Sequence, residues 1–282
     1  MSFGSFEGAV KPTENEDLVV STKDGITTIE MNSKPVNVLN REYHRRLTEW
    51  FRYLNNDDAT RAIILTSAIP NIFTAGLDIN EMVNPSLEKF TEMWTTVQEN
   101  WYLLQAHYKP IIVVINGTSP GEGAVMSLCC DYRVMVRGAP PKEEGGAVRP
   151  FKFGLNEASF GLRVPRFTAE VYRQILGSHR ADRMLQLGEM VTADNALTLG
   201  LVDEVVDSRE EGMRAAIAYA KRLVAIDPKA RYFGKKTIRA PFLRGLETQE
   251  ERDSDLQEFY ELVLSDTVQT TISNYFASLK KK

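Results

Sequence analysis

The 282-residue chain carries 43% hydrophobic and 26% charged residues, the balance of a soluble globular protein with a substantial core. Its net charge of -4 gives no electrostatic reason to expect nucleic-acid binding. No apolar run approaches the roughly 20 residues that span a bilayer, and the three scattered histidines, His44, His107 and His179, have no metal-ligand spacing.

In chain order, residues 1–16 are acidic and turn-rich and read as a loose leader unlike a signal peptide or an Arg-rich transit peptide. "LVVSTKDGITTIEM" predicts a hairpin turning at Asp24-Gly25. The loop "NSKPVNVLN" ends at Asn40, a good helix N-cap, followed at helical spacing by Tyr43, Leu47, Trp50, Phe51 and Leu54. "RAIILTS" (61–67) is a buried-strand candidate, and a glycine-containing loop, "PNIFTAGLDINEM", follows it. A helix over 86–108 aligns Phe90, Trp94, Val97, Trp101, Leu104 and Tyr108 on one stripe, a core-packing pattern. "KPIIVVING" (109–117) is another buried strand, running into a glycine-rich turn and a helix, "TSPGEGAVMSLCC". Its adjacent Cys129 and Cys130 cannot build a disulfide framework; they read as core fillers in a protein of a reducing compartment. "DYRVMV" (131–136) is a strand and 137–150 a loop rich in Pro, Gly and charge, most simply a surface insertion. Helices are expected over 168–177, 180–187, 192–199, 208–226 and about 247–277, with one strand in "GLVDEVV" (200–206). This predicts an α/β core over 17–207 and a helical region over 208–282. The terminal "LKKK" reads as a solvated tail.

Two segments, "IILTSAIPNIFTAGLD" and "IIVVINGTSPGEGAVM", run from a strand through a small-residue loop into a helix. Free N–H groups at such junctions can point at one bound oxygen, a signal that is weak by itself. A third segment, "FKFGLNEASFGL" (151–162), sets Glu157 among apolar residues. From the segment alone, Glu157 is either an exposed turn residue or a buried carboxylate kept for chemistry.

With "PVNVLN" (35–40), "FTAGLDINEM" (73–82), "INGTSPGEGAVMSLCCDYRVM" (115–135), "FGLNEASFGL" (153–162) and "ALTLGLVDEVV" (196–206) in this order, the chain resembles the enoyl-CoA hydratase/isomerase (crotonase) superfamily. It looks most like the mitochondrial Δ3,Δ2-enoyl-CoA isomerases, from about residue 18 to the end. The resemblance implies an α/β crotonase fold, a spiral of ββα repeats with a C-terminal helical region that builds homotrimers or hexamers. It implies an acyl-CoA thioester as substrate, with coenzyme A entering as part of it, and no resident cofactor or metal. By position, the oxyanion-hole N–H groups fall on Leu77 and Glu122. Substrate and CoA contacts fall on Pro35, Val36, Ala75, Gly76, Leu77, Asp78, Ile79 and Asn156, where Asn156 either bonds substrate or fixes the turn. Glu157 falls on the catalytic base, with Phe153, Leu155, Phe160 and Leu162 expected to raise its pKa by desolvation. Hydratases of the superfamily carry a second glutamate where this chain has Val125, and an apolar residue cannot activate water. The implied activity is therefore isomerisation of 3-enoyl-CoA to trans-2-enoyl-CoA by a single glutamate, in β-oxidation in the mitochondrial matrix; a peroxisomal or cytoplasmic location is the alternative. Competing readings are a hydratase using Glu122 with Glu157 and a non-catalytic CoA-binding protein. Glu122 stands where the family resembles a Gly-Gly pair, and its side chain, ahead of a helix, is expected to face solvent.

Overall fold

The computed structural model describes residues 9–141, 143 and 146–279, so part of the leader and the last three lysines lie outside the described residues. Leu18–Lys23 and Ile26–Met31 pair antiparallel from Leu18↔Met31 to Lys23↔Ile26, with the turn at Asp24-Gly25 as expected. Four parallel strands then extend the sheet in the order Ala62–Ser67, Ile111–Ile115, Tyr132–Val136 and Glu204–Val206. Every residue of Ala62–Ser67 and Ile111–Ile115 is buried, because helices cover both faces of this sheet. Ile63, Leu65, Ile111, Val113 and Ile115 point into the main core. Ala62, Ile64, Ile112 and Val114 meet Ala216 and Ala220 on the other face.

Each pass of the chain adds a second short strand. Asn71–Ile72, Gly117–Pro120 and Lys152–Gly154 pair parallel in that order, and Val191–Thr192 closes the edge antiparallel. Val38–Leu39 pairs with Gly76–Leu77. Helices α1 (Arg41–Asn56), α2 (Leu87–Ala106) and α3 (Glu122–Cys129) complete the successive ββα units. Asn40 and Ser86 cap α1 and α2 through their side chains. The chain continues through α4 (Arg166–Leu176), α5 (Ser178–Leu187), α6 (Ala193–Leu199) and α7 (Arg209–Val224), which packs on the sheet through Ala216 and Ala220. It ends with α8 (Pro228–Leu243), α9 (Gln249–Val263) and α10 (Asp266–Leu279).

Three elements differ from expectation. Helix α2 stops at Ala106, so Tyr108 leaves the stripe, although Phe90, Trp94, Val97, Trp101 and Leu104 are all buried on it. The 247–277 stretch is two helices, broken around Leu264 and Ser265. Helix α8 has no counterpart in the periodicity, because its inward face is charged while Phe233 and Ile238 are 62% and 69% exposed. From α8, Lys235 and Arg239 each donate to Asp131 at 2.9 Å, and Arg239 also donates to the Cys129 carbonyl at 2.6 Å. The final helices bury a second cluster against α2, in which Trp94 stacks on Phe259 at 4.1 Å and donates from Nε1 to Asp255 at 2.8 Å. The 137–150 loop is tied at its ends by pairing of Gly138–Ala139 with Arg149–Pro150, and residues 146–150 are exposed. Cys129 and Cys130 are free and buried. Among the described residues no helix is long and apolar enough to cross a membrane, and no His, Cys, Asp and Glu cluster suits a metal.

Candidate active site

Three loops at the ends of the short strands converge. The first is held by Asn37, a buried residue in left-handed conformation (φ 50°). Its amide lies within donating distance of Ser67 Oγ (2.8 Å) and the Phe73 and Met31 carbonyls (2.9 and 3.3 Å), while its Oδ1 accepts from the Ser33 N–H. Thr74 Oγ1 donates to the Asn37 carbonyl and accepts from the Gly76 N–H at 3.0 Å. Backbone bonds from Ala75 to Val36 and from Asp78 to Leu39 pin the two sides of the "TAGLD" turn. Neither Asn37 nor Thr74 was singled out in the sequence, since a buried asparagine is recognisable only once its acceptors are assembled around it. Replacing Asn37 by Ala strands several buried groups. It should cost about 3 kcal/mol of stability in urea denaturation, from one or two unsatisfied partners.

The second loop ends at Gly121, whose φ of 47° and ψ of -118° turn the chain sharply into α3. A Cβ here would be strained by this backbone conformation and would lie 3.2 Å from Asn156 Oδ1 and 3.6 Å from Glu157 Oε1. A Cβ on Gly76 would lie 4.0 Å from the Glu122 nitrogen, so the first and second loops nearly touch. The first N–H groups of α3, beginning with Glu122, have no partner within their own helix.

The third loop follows Lys152–Gly154. Glu157 opens a 3-10 turn, Glu157–Phe160, and its carbonyl accepts from the Leu162 N–H at 3.1 Å. Asn156 caps no N–H of this turn through its side chain. Together the three loops line a cavity of about 270 Å³ with Ala75, Gly76, Leu77, Ile79, Pro120, Gly121, Glu122, Asn156, Glu157, Phe160 and Leu162. Met82 and, from α10, Tyr275 complete the wall; neither was anticipated from the sequence. Tyr275 meets Phe160 edge-on at 5.4 Å. Pro35, Val36 and Asp78 lie outside this wall. Pro35 is exposed, and Asp78 instead caps its own short turn by accepting from Asn80. A larger cavity of about 670 Å³ lies near the 137–150 loop, and there Arg137 pairs with Asp207 and Arg209 with Glu30.

Electrostatically the small cavity is unusual. Glu157 as a residue is partly exposed, yet its Oε2 is shut from solvent and has no hydrogen-bond partner among the described residues. Burial raises its carboxyl to about 7, against a smaller opposing effect of its own N–H. Phe153 and Leu155 are buried beside it in the chain, and Phe160 and Leu162 face the same cavity.

Glu122 departs from expectation. Its side chain does not face solvent: the residue is 7% exposed and its Oε1 is buried without a partner among the described residues. Its position in the first turn of α3 puts it at the meeting of the three loops rather than on the outer face of the helix. Burial, and then the charge on Glu157, hold its carboxyl well above the ordinary range. Val125, one turn further along α3, is buried. A base that ionises near neutrality, in an apolar cavity beside the free N–H groups of a helix start, can remove a proton next to a carbonyl while the developing oxyanion is held.

Residues 21–282 match the family described as enoyl-CoA hydratase/isomerase. The chain is 34% identical over 270 residues to the Mus musculus protein "Enoyl-CoA delta isomerase 1, mitochondrial", covering 95% of this chain and 89% of the relative. The crystal structure of human mitochondrial delta3-delta2-enoyl-CoA isomerase matches with a TM-score of 0.85 at 30% identity, covering 94% of this chain and 98% of that one. A crotonyl-CoA hydratase of Syntrophomonas wolfei subsp. wolfei is 26% identical over 196 residues, 69% of this chain and 71% of the relative.

Proposed function

The chain belongs to the enoyl-CoA hydratase/isomerase family, and from that premise we propose that it is a Δ3,Δ2-enoyl-CoA isomerase of fatty-acid β-oxidation. One observation carries the choice within the family: burial raises the Glu157 carboxyl to about 7, where it can act as a base, while the next turn of α3 presents Val125. Glu157 takes a proton from C2 of a bound 3-enoyl-CoA. The electron pair moves into a dienolate whose oxygen is held by the backbone N–H groups of Leu77 and Glu122. A proton returned to C4 gives the trans-2-enoyl-CoA. Ala75, Gly76, Leu77 and Ile79 carry the thioester end along the cavity wall, with Asn156 beside the base, and Pro35, Val36 and Asp78 contact the CoA moiety outside it. Coenzyme A enters and leaves with the acyl group, and the chemistry needs no metal. A mitochondrial location fits the name of the Mus musculus relative, and the matrix and a homotrimer belong to the same proposal.

A second reading, 2-enoyl-CoA hydration by Glu122 with Glu157, is favoured by both carboxyls lining one cavity. Supplying 3-enoyl-CoA and 2-enoyl-CoA separately tells the two apart. The isomerase converts the first and barely hydrates the second, a hydratase does the reverse, and a protein that only binds CoA turns over neither.

Because the base must be ionised, kcat/KM for isomerisation should be low in acid, rise as pH passes through about 7, and level off above it. A rise centred near the ordinary glutamate value of about 4.3 would mean that burial does not act on the working base.

A further inference from the structure

Glu122 brings to the cavity a side chain that single-glutamate isomerisation leaves unused. Its N–H is placed by the start of α3, and a glycine would supply that N–H equally well. The carboxyl is nonetheless buried, with Oε1 unpartnered among the described residues. Across the same cavity, Glu157 Oε2 is also buried and unpartnered. Both residues line one cavity of about 270 Å³, and two carboxyls with buried, unpartnered oxygens at one cavity are stable only if a proton or a hydrogen-bonding molecule joins them. The other titratable groups in electrostatic reach are neutral: the buried Tyr172 hydroxyl, close enough to feel Glu157, and the Cys129 thiol, close enough to feel Glu122. Among the described residues no cation forms an ion pair with either carboxyl, and the charge on Glu157 adds to burial in holding the Glu122 carboxyl up.

We propose, on the footing of the isomerase reading, that Glu122 is a second proton carrier of this site, exchanging protons with Glu157 across the cavity, so that the proton returned to the acyl chain comes from a pool of two carboxyls. The steps balance. The C2–H bond breaks and its proton lands on the Glu157 carboxylate, leaving the electron pair in the dienolate. The O–H bond of either neutral carboxyl then breaks as the C4–H bond forms. If Glu122 was the donor, the proton on Glu157 passes to it, directly or through one water, and the starting state returns with Glu157 ionised and Glu122 protonated.

The test uses a 3-enoyl-CoA deuterated at C2 with enzyme in excess, so that each site turns over once while Glu122 still carries its solvent-derived proton, and mass spectrometry of the product. In wild type the C2 deuteron is diluted by the proton of Glu122 before it reaches C4. In Glu122→Gln, and in Glu122→Gly as a second variant that keeps the backbone N–H, dilution stops and C4 deuterium rises at least about twofold relative to wild type. Equal C4 deuterium in wild type and both variants overturns the proposal. An infrared spectrum of the substrate-free protein at pH 8 gives an independent reading. The carbonyl stretch of a protonated carboxyl should appear in wild type and vanish in Glu122→Gln, and its absence from wild type also overturns the proposal. Failure of the isomerase reading looks different: wild type yields no 2-enoyl product, or Glu157→Gln yields as much as wild type.

Discussion

Glu157→Gln is expected to slow isomerisation by about 10⁴-fold, the upper end of what a positioned acid/base contributes, because in the proposed mechanism Glu157 alone takes the C2 proton. Gln is nearly isosteric and the loops around it are held by backbone bonds, so the affinity for an acyl-CoA should change far less than kcat. Stopped-flow assays and a binding titration separate the two effects. Stability should move the other way. A carboxyl raised to about 7 in the folded protein and near 4.3 in the unfolded chain binds its proton more tightly when folded. Its contribution is fully present below about 4.3 and is lost as pH rises to about 7, an order of 3 kcal/mol. Glu157→Gln removes that loss and should be the more stable protein at pH 8. A variant that keeps a tenth or more of the activity would remove Glu157 from the chemistry.

The largest stability effect outside the site is expected at Asp131. Its side chain is 14% exposed, and those of its partners Lys235 and Arg239 are 6% and 13% exposed, so this is a buried network rather than a surface pair. Burial alone would raise the Asp131 pKa, but Lys235, Arg239 and the Ile111 N–H outweigh it and hold the carboxyl below its ordinary value. Asp131→Ala leaves two buried cations uncompensated and should cost about 3–5 kcal/mol in urea denaturation. In wild type the network's contribution is present above the unfolded carboxyl value of about 3.9 and is lost as pH falls through the lower folded value. Because Arg239 also grips the last carbonyls of α3, the variant should lose activity before it unfolds globally. A cost below about 1 kcal/mol would mean that water already screens the three groups.

Much of this architecture is legible in local pattern. The Asp24-Gly25 hairpin, the Asn40 cap and the largely apolar strands each follow from interactions within a few residues of sequence. Glu157 was legible as a candidate because a carboxylate in an apolar run is rare, yet its burial emerged only with the fold. Helix α8 escaped because sequence reading seeks an apolar inward face, and this face is instead Lys235 and Arg239 reaching for Asp131. Glu122 was misread for a related reason. An acidic residue at a helix start ordinarily faces water, and nothing near it in sequence announces that Glu157 stands opposite. Tyr275 joined the cavity from the last helix, a contact no local rule could supply.

The stacking of Trp94 on Phe259, with its indole N–H on Asp255, gives the protein a built-in optical probe. All three tryptophans are buried, but only Trp94 sits between α2 and α9. If Trp50 and Trp101 are replaced by Phe, the remaining emission reports on that one seam. Its shift to longer wavelength, as the indole meets water, times the undocking of the terminal helices separately from the melting of the sheet.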